Sequence, residues 1–235
     1  PPTWVLSNHD VVRHRTRLAP VDAKEVPDLE RGLARARAGT LFTLALPGSA
    51  YIYQGEELGL PEVSDLSDEV RQDPAWFRSK GTDGFRDGCR VPIPWTSDGA
   101  TFGFNTSGAS WLPQPADWQD LAVEAEDGVD GSTLEFYRRA LRIRREESSL
   151  GDGTMEWIAG LDPTALAYRR PAADGTGVVV VLNLGEGTLT LPAALGTDVL
   201  VESGDAVAVL TVDDEEVVVL GPETACLLYT SPSPR

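Results

Sequence analysis

The histidines of this chain, His9 and His14, lie within six residues of each other, just after an apolar run at Thr3 to Leu6. That run reads as a short buried strand ending in the polar loop Ser7-Asn8-His9-Asp10. An aspartate at a strand end can hold a negative charge against a cationic transition state. A histidine beside it can donate a hydrogen bond to a substrate hydroxyl. In an α/β barrel, residues at the carboxyl ends of strands face the active-site mouth. The plainer reading is that Ser7, Asn8 and Asp10 cap the next helix. Residue spacing alone leaves both readings open. Glu56 and Glu57 follow a second apolar run and could form an acid/base pair. Adjacent residues point in different directions, however, and Gly55 marks a tight turn, so at most one of them faces a pocket.

A third group is Arg86-Asp-Gly-Cys-Arg90, followed by Val91-Pro-Ile-Pro-Trp95. An arginine on a loop over a strand-end pocket can bond several hydroxyls at once. Trp76, Trp95, Trp111 and Trp118 crowd the same stretch, where a tryptophan could stack on a sugar face or simply build the loop's own core. For any one of them the core is the expected role. Cys89 between two arginines could be an activated thiolate. With no histidine near it in sequence, it reads as a small buried residue.

The elements that must carry these groups follow from periodicity. Leu29 to Leu46 reads as a helix with Leu33, Ala36, Leu41, Leu44 and Ala45 on one face, stopped by Pro47-Gly48. Ala50 to Tyr53 is then a strand, which makes a βαβ unit and predicts parallel pairing. Residues 61–131 have no sustained period, apart from a short helix near Asp68 to Ser79. A stretch this long is a functional loop or a misread element. Ser132 to Glu147 is a helix opened by the capping box Ser132-x-x-Glu135, with Leu134, Tyr137 and Leu141 as its stripe. The arginines between Arg138 and Arg145 read as its solvated face rather than a nucleic-acid stripe. From Gly153 onward, short β-rich runs alternate with turn signals. They are Met155–Ile158, Ala165–Arg169, Val178–Leu182, Thr188–Leu191, Val199–Val201, Val207–Val212, Glu216–Leu220 and Thr224–Leu228. The pattern predicts an antiparallel sandwich. The expected domains are therefore 1–150 and 151–228, with a disordered Pro/Ser tail at 229–235.

Composition narrows the function. The 235 residues contain 41% hydrophobic and 24% charged residues, which is ordinary globular usage. Acidic residues outnumber basic ones 37 to 20, for a net charge of −17. Such a surface repels phosphate backbones and anionic membranes, so neither nucleic acid nor membrane is an expected partner. The two cysteines make no disulfide framework, and no Cys/His spacing suggests zinc. No metal and no cofactor is expected. The longest apolar stretch, Leu41 to Tyr53, is too short to span a bilayer. The chain opens on Pro1-Pro2 with Met155 as its methionine, so it reads as the C-terminal part of a longer protein.

These motifs resemble a known family. Trp4-Val-Leu-Ser-Asn-His-Asp-Val-Val-Arg13 is similar to the fourth signature region of the α-amylase superfamily, glycoside hydrolase family 13. Ala45-Leu-Pro-Gly-Ser-Ala-Tyr-Ile-Tyr-Gln-Gly-Glu-Glu-Leu-Gly59 resembles the eighth barrel strand and its approach. Arg86 to Trp95 resembles a loop motif of the α-glucosidase, oligo-1,6-glucosidase and trehalose synthase branch, although Val91-Pro-Ile-Pro-Trp95 stands where many relatives carry Thr-Pro-Met-Gln-Trp.

The resemblance implies the last two βα units of a (β/α)8 TIM barrel followed by an antiparallel β-sandwich. It implies a retaining α-glucosidase, acting on a small α-glucoside or malto-oligosaccharide. Asp10 would be the transition-state-stabilising carboxylate and not the nucleophile. His9 would bind hydroxyls of the glucosyl unit, and Arg86 would sit on the aglycone side. Arg13 and Arg90, also candidates for substrate binding, would shape the pocket. Retention needs a nucleophile and an acid about 5–5.5 Å apart. In the family both lie upstream, so this chain alone is expected to be inactive. A trehalose synthase-like transglycosylase and a non-catalytic member of the superfamily are the alternatives. A carbohydrate-binding β-module is disfavoured, since Trp157, Tyr168 and Tyr229 make a thin sugar platform. A cytoplasmic monomer is expected, the location resting on the resemblance and the low cysteine content. Two barrel strands cannot close a barrel, so residues 1–150 alone are expected to be unstable while the sandwich folds.

Overall fold

The computed structural model describes residues 2–82 and 85–230. These form two compact units. Within the described residues, one comprises 2–4, 34–50 and 136–230, the other 5–33, 51–82 and 85–135. Strand β1 (Thr3–Val5) pairs with β2 (Ser49–Tyr51) in a two-stranded sheet. Between them lie a one-turn helix α1 (His14–Arg17) and the longer α2 (Leu29–Leu44). Pro47-Gly48 ends the helical run as the sequence predicts. Gly48 has a φ of +107°, and a Cβ there would lie 2.3 Å from Pro2 O. Only glycine fits where the chain passes this close to the start of β1.

The first unit holds α2's C-terminal end with arginines. Helix carbonyls in the last turn have no intrahelical partner. Arg144 donates to the carbonyls of Leu44, Leu46 and Gly48. Arg170 is 0% exposed and donates to Ala45 O at 2.6 Å, Gly151 O at 2.6 Å and Thr154 O at 3.0 Å. Arg144 therefore departs from the solvated face expected of the Arg138–Arg145 series, because orphaned carbonyls lie within its reach. Its helix, after the short α3 (Pro74–Ser79) and α4 (Val123–Glu126), is α5 (Thr133–Glu146). Ser132 Oγ accepts from Glu135 N at 3.2 Å, which is the hydroxyl half of the expected capping box. Phe136, Tyr137 and Ala140 are buried, but Leu141 is 41% exposed and leaves the stripe.

All eight strand expectations after residue 153 coincide with strands. They are β3 (Glu156–Trp157), β4 (Ala165–Pro171), β5 (Gly177–Asn183), β6 (Leu189–Thr190), β7 (Asp198–Glu202), β8 (Val207–Val212), β9 (Glu215–Leu220) and β10 (Ala225–Thr230). One sheet has the order β3-β4-β5-β10-β7 and the other β6-β9-β8, with antiparallel pairing. Alternating residues Val179, Val181, Leu189, Leu191, Val218, Leu220, Cys226 and Leu228 build the core. Strand β5 is buried throughout, which suits its unbroken valine run at the sheet centre. Tyr229 and Thr230 correct the expected start of the tail. They continue β10, where they pair with Val178 and Gly177, and residues 231–235 lie outside the described residues. Tyr168 is fully buried with its hydroxyl donating to Phe42 O at 2.6 Å, so it is unavailable to stack on a sugar.

The second unit contains the aperiodic segment 61–131. It is not structureless. Besides α3 and α4 it has 3₁₀ turns at Phe85–Arg90 and Ala116–Leu121. Its residues Val63, Leu66, Val91, Ile93, Leu112 and Trp118 join Leu58, Leu60 and Leu134 in one buried cluster. The stretch thus carries its own core, drawn from positions with no common period.

Candidate active site

The loop leaving β1 displays His9 and Asp10, whose side chains are 67% and 48% exposed. Asn8 Oδ1 accepts from Asp10 N at 2.8 Å, a side-chain turn that sets the loop's local bend. Asp10 Oδ1 accepts from Arg86 Nη1 at 2.9 Å and from Arg90 Nη2 at 3.1 Å. His9 Nε2 lies 3.3 Å from Asp10 Oδ2. Arg90 Nε also donates to His9 O at 2.9 Å. The structure therefore brings Asp10, His9, Arg86 and Arg90 together, across nearly eighty residues of sequence.

Arg86 is itself fixed from behind. Its Nε and Nη2 make a bidentate pair with Asp73, both at 2.7 Å. Asp73 is 0% exposed and also caps α3 by accepting from Ala75 N at 3.0 Å, with Pro74 at the first helical position. The Arg86 hydrogen bonds hold the Asp73 carboxyl well below the usual carboxylate range. Asp87 supports the same corner, accepting from Gln72 N at 2.9 Å and Asp73 N at 3.0 Å. Sequence reasoning missed Asp73; its signal was the helix-start pair Asp73-Pro74.

Arg13 takes a different place. It is 1% exposed and donates to Gln54 O at 2.7 Å and Cys89 O at 2.9 Å. A buried guanidinium turned onto carbonyls joins three segments behind the site and does not face a ligand. Of the two roles expected for Arg13, this burial suits the shaping of the pocket. Glu62 accepts from Arg13 N at 2.9 Å, and burial pushes its carboxyl up. Gly88 lies against this wall; a Cβ there would be 2.3 Å from Val63 O. Cys89 is fully buried and its thiol is pushed up to about 11 by burial, so it is a packed thiol and no nucleophile. Glu57 Oε2 accepts from Gly55 N at 2.8 Å, while Glu56 turns inward and is 4% exposed. The two carboxylates do diverge.

The tryptophans divide. Trp118 is 0% exposed in the loop core, as expected. Trp76 stacks under the Arg71 guanidinium, 4.1 Å from it. Trp95 and Trp111 are 49% and 57% exposed and depart from the core role, with Trp111 edge-on to Phe104.

Glu56 faces His14, with Oε1 3.9 Å from Nδ1. Burial raises the Glu56 carboxyl from 4.5 to about 7, although hydrogen bonds from Tyr53 and Ser7 oppose it. Burial lowers His14 from 6.5 to about 4, helped by Arg17 and Arg13. Both groups favour their neutral forms. Glu56 has a folded pKa above its unfolded one. Its contribution to stability is full below pH 4.5 and is lost as pH rises through 7. The contribution of His14 has the opposite sign, full above 6.5 and lost as pH falls through 4. The Glu56→Gln variant removes only the first. It should gain on the wild type by about 3 kcal/mol as pH rises from 4.5 past 7. Urea midpoints of both proteins across that range check this; a constant difference would contradict it.

No group of three or more His, Cys, Asp or Glu side chains that could hold a metal ion occurs among the described residues. None of the described helices is long and apolar enough to cross a membrane.

Residues 2–153 match the α-amylase catalytic domain. The chain belongs to the α-amylase family. Residues 158–227 match a second domain, described as one of unknown function, DUF3459. The chain is 39% identical over 161 residues to "Probable alpha-glucosidase" of Rhizobium meliloti (strain 1021), covering 66% of this chain and 26% of that protein. It is 33% identical over 178 residues to "Trehalose synthase/amylase TreS" of Mycobacterium tuberculosis (strain H37Rv), covering 72% of this chain and 26% of that one. Among solved structures, the alpha-glucosyl transfer enzyme XgtA superposes with a TM-score of 0.75 at 34% identity, over 96% of this chain and 40% of that one. The chain therefore spans about a quarter of the length of these two curated relatives. Its fold is the end of an α-amylase-type catalytic domain followed by antiparallel β-sheets.

Proposed function

We propose that this chain is the C-terminal portion of a retaining α-glucosidase and supplies Asp10 and His9 to its active site. The observation that carries the reading is an exposed carboxylate, Asp10, gripped by Arg86 and Arg90 beside an exposed histidine. Cleaving an α-glucoside passes through an oxocarbenium-like state. A carboxylate already fixed by two guanidinium groups stabilises that positive charge without reorganising. Arg86 is held in turn by its bidentate pair with Asp73. In this reading His9, exposed beside the carboxylate, donates to sugar hydroxyls. The nucleophile and the acid come from chain outside these residues.

In this reading residues 1–150 complete the catalytic domain and 151–228 form the sandwich. The substrate is a small α-glucoside or malto-oligosaccharide. The protein is a cytoplasmic monomer that needs no cofactor. Transglycosylation is the second reading, favoured by the 33% identity to a trehalose synthase/amylase. Incubating the full-length protein with maltose separates the two. Hydrolysis yields free glucose, and transglycosylation yields an isomerised disaccharide. The 235-residue chain alone should release no aglycone from an aryl α-glucoside above background, and measurable turnover by it would contradict the proposal.

A further inference from the structure

The segment that displays Asp10 begins at Ser7 and ends at His14, where α1 starts. Its two ends are tied by one side chain. Ser7 Oγ accepts from His14 N at 2.9 Å and lies 3.0 Å from His14 Nδ1. Glu56 reaches the same point from the loop after β2, its Oε1 lying 3.9 Å from His14 Nδ1. A hydroxyl has one proton and two lone pairs. Ser7 commits two of these to His14, one to its backbone N–H and one to its ring. Ser7, His14 and Glu56 are 1%, 3% and 4% exposed. They are sealed from any substrate, so a serine, histidine and glutamate in contact here are not a nucleophilic triad.

Burying three polar groups costs free energy that an apolar trio of similar shape would not. The groups facing the junction add to that cost. Arg13 and Arg17 both disfavour a charged His14, and Glu57 disfavours a charged Glu56. What the arrangement provides is direction. Hydrogen bonds fix where a loop leaves and re-enters the fold, whereas apolar contacts tolerate sliding. The loop so fixed carries only one pair of exposed chemical groups, His9 and Asp10.

We propose that Ser7, His14 and Glu56 form a buried clasp that positions Asp10 and His9 for glucosyl transfer, with Ser7 as its central positioning residue. The proposal rests on the α-glucosidase reading for its kinetic consequence. Misplacing a reacting group by about 1 Å can cost on the order of 100-fold.

In the full-length enzyme, Ser7→Ala should lower kcat on an aryl α-glucoside by about 10- to 100-fold, with KM changed far less. Ser7→Thr should restore most of kcat, even though its extra methyl in a packed site lowers the melting temperature. A merely structural serine predicts the reverse, with activity following melting temperature. Should Ser7→Ala not fold, Ser7→Cys is closer in shape and a weak hydrogen bonder, with the same expected loss. Wild-type kcat in either variant, or Thr no better than Ala, would overturn the clasp. An inactive wild-type enzyme would instead defeat the α-glucosidase reading. In that case the crystal structure of the Ser7 variant still decides. Displacement of Asp10 Oδ1 from its 2.9 and 3.1 Å contacts with Arg86 and Arg90 supports the clasp, and an unmoved Asp10 overturns it.

Discussion

Asp10→Asn in the full-length enzyme should lower kcat by about 10³-fold with almost no loss of stability. The substitution keeps the shape of the side chain and one oxygen able to accept from Arg86 and Arg90. It removes the negative charge that faces the developing oxocarbenium ion. Stability should barely change, because the pairs it weakens are solvent-exposed. Asp10 is 48% exposed and its partners 36% and 29%, and exposed pairs contribute about 0–1 kcal/mol. Arg86 also keeps its bidentate contact with Asp73, so the site's frame survives. Steady-state kinetics and thermal unfolding on the same preparation separate charge from architecture. A variant retaining more than a tenth of wild-type kcat would remove Asp10 from the chemistry.

Trp118→Ala should destabilise the protein by about 3–5 kcal/mol and take activity with it. Residues 61–131 contain only short helices and turns, so their order depends on side-chain packing. Trp118 is fully buried in the cluster with Leu58, Leu60, Val91 and Leu112. Truncation leaves a cavity bordered by both the loop and the segment after β2. Arg86 and Arg90, which hold Asp10, come from this loop. The urea midpoint should fall, and new proteolytic cuts should appear within 61–131. Trp95→Ala is the control, since that side chain is 49% exposed and its loss should change stability little. Equal effects of the two substitutions would contradict the packing account.

Local signals carried much of the fold. Strands β3 to β10 were legible because short β-rich runs recur between turn residues, a pattern that marks strands locally. Helix α5 was legible from Ser132, Glu135 and its apolar stripe. The motifs around Asp10 and Arg86 were legible as types of residue at strand and loop positions. Long-range partners were not. Nothing near Asp73 in sequence reveals that it grips Arg86, thirteen residues away. Nothing near Arg144 shows that the last carbonyl of α2 and those just after it, about one hundred residues earlier, await a donor. The Ser7–His14–Glu56 junction was hidden for the same reason, since His14 read only as the second histidine after the first strand and Glu56 as half of a carboxylate pair. Segment 61–131 hid its core because its buried residues share no period, and only tertiary contact reveals a cluster of that kind.

The central claim is that Asp10 stabilises the transition state while the nucleophile lies outside this chain. It is tested most directly by trapping the covalent intermediate of the full-length enzyme with a fluorinated α-glucosyl substrate and locating the labelled peptide by mass spectrometry. The account predicts the label on a carboxylate outside these 235 residues, with Asp10 unmodified. Label on Asp10, or on any other carboxylate of this chain, would contradict it.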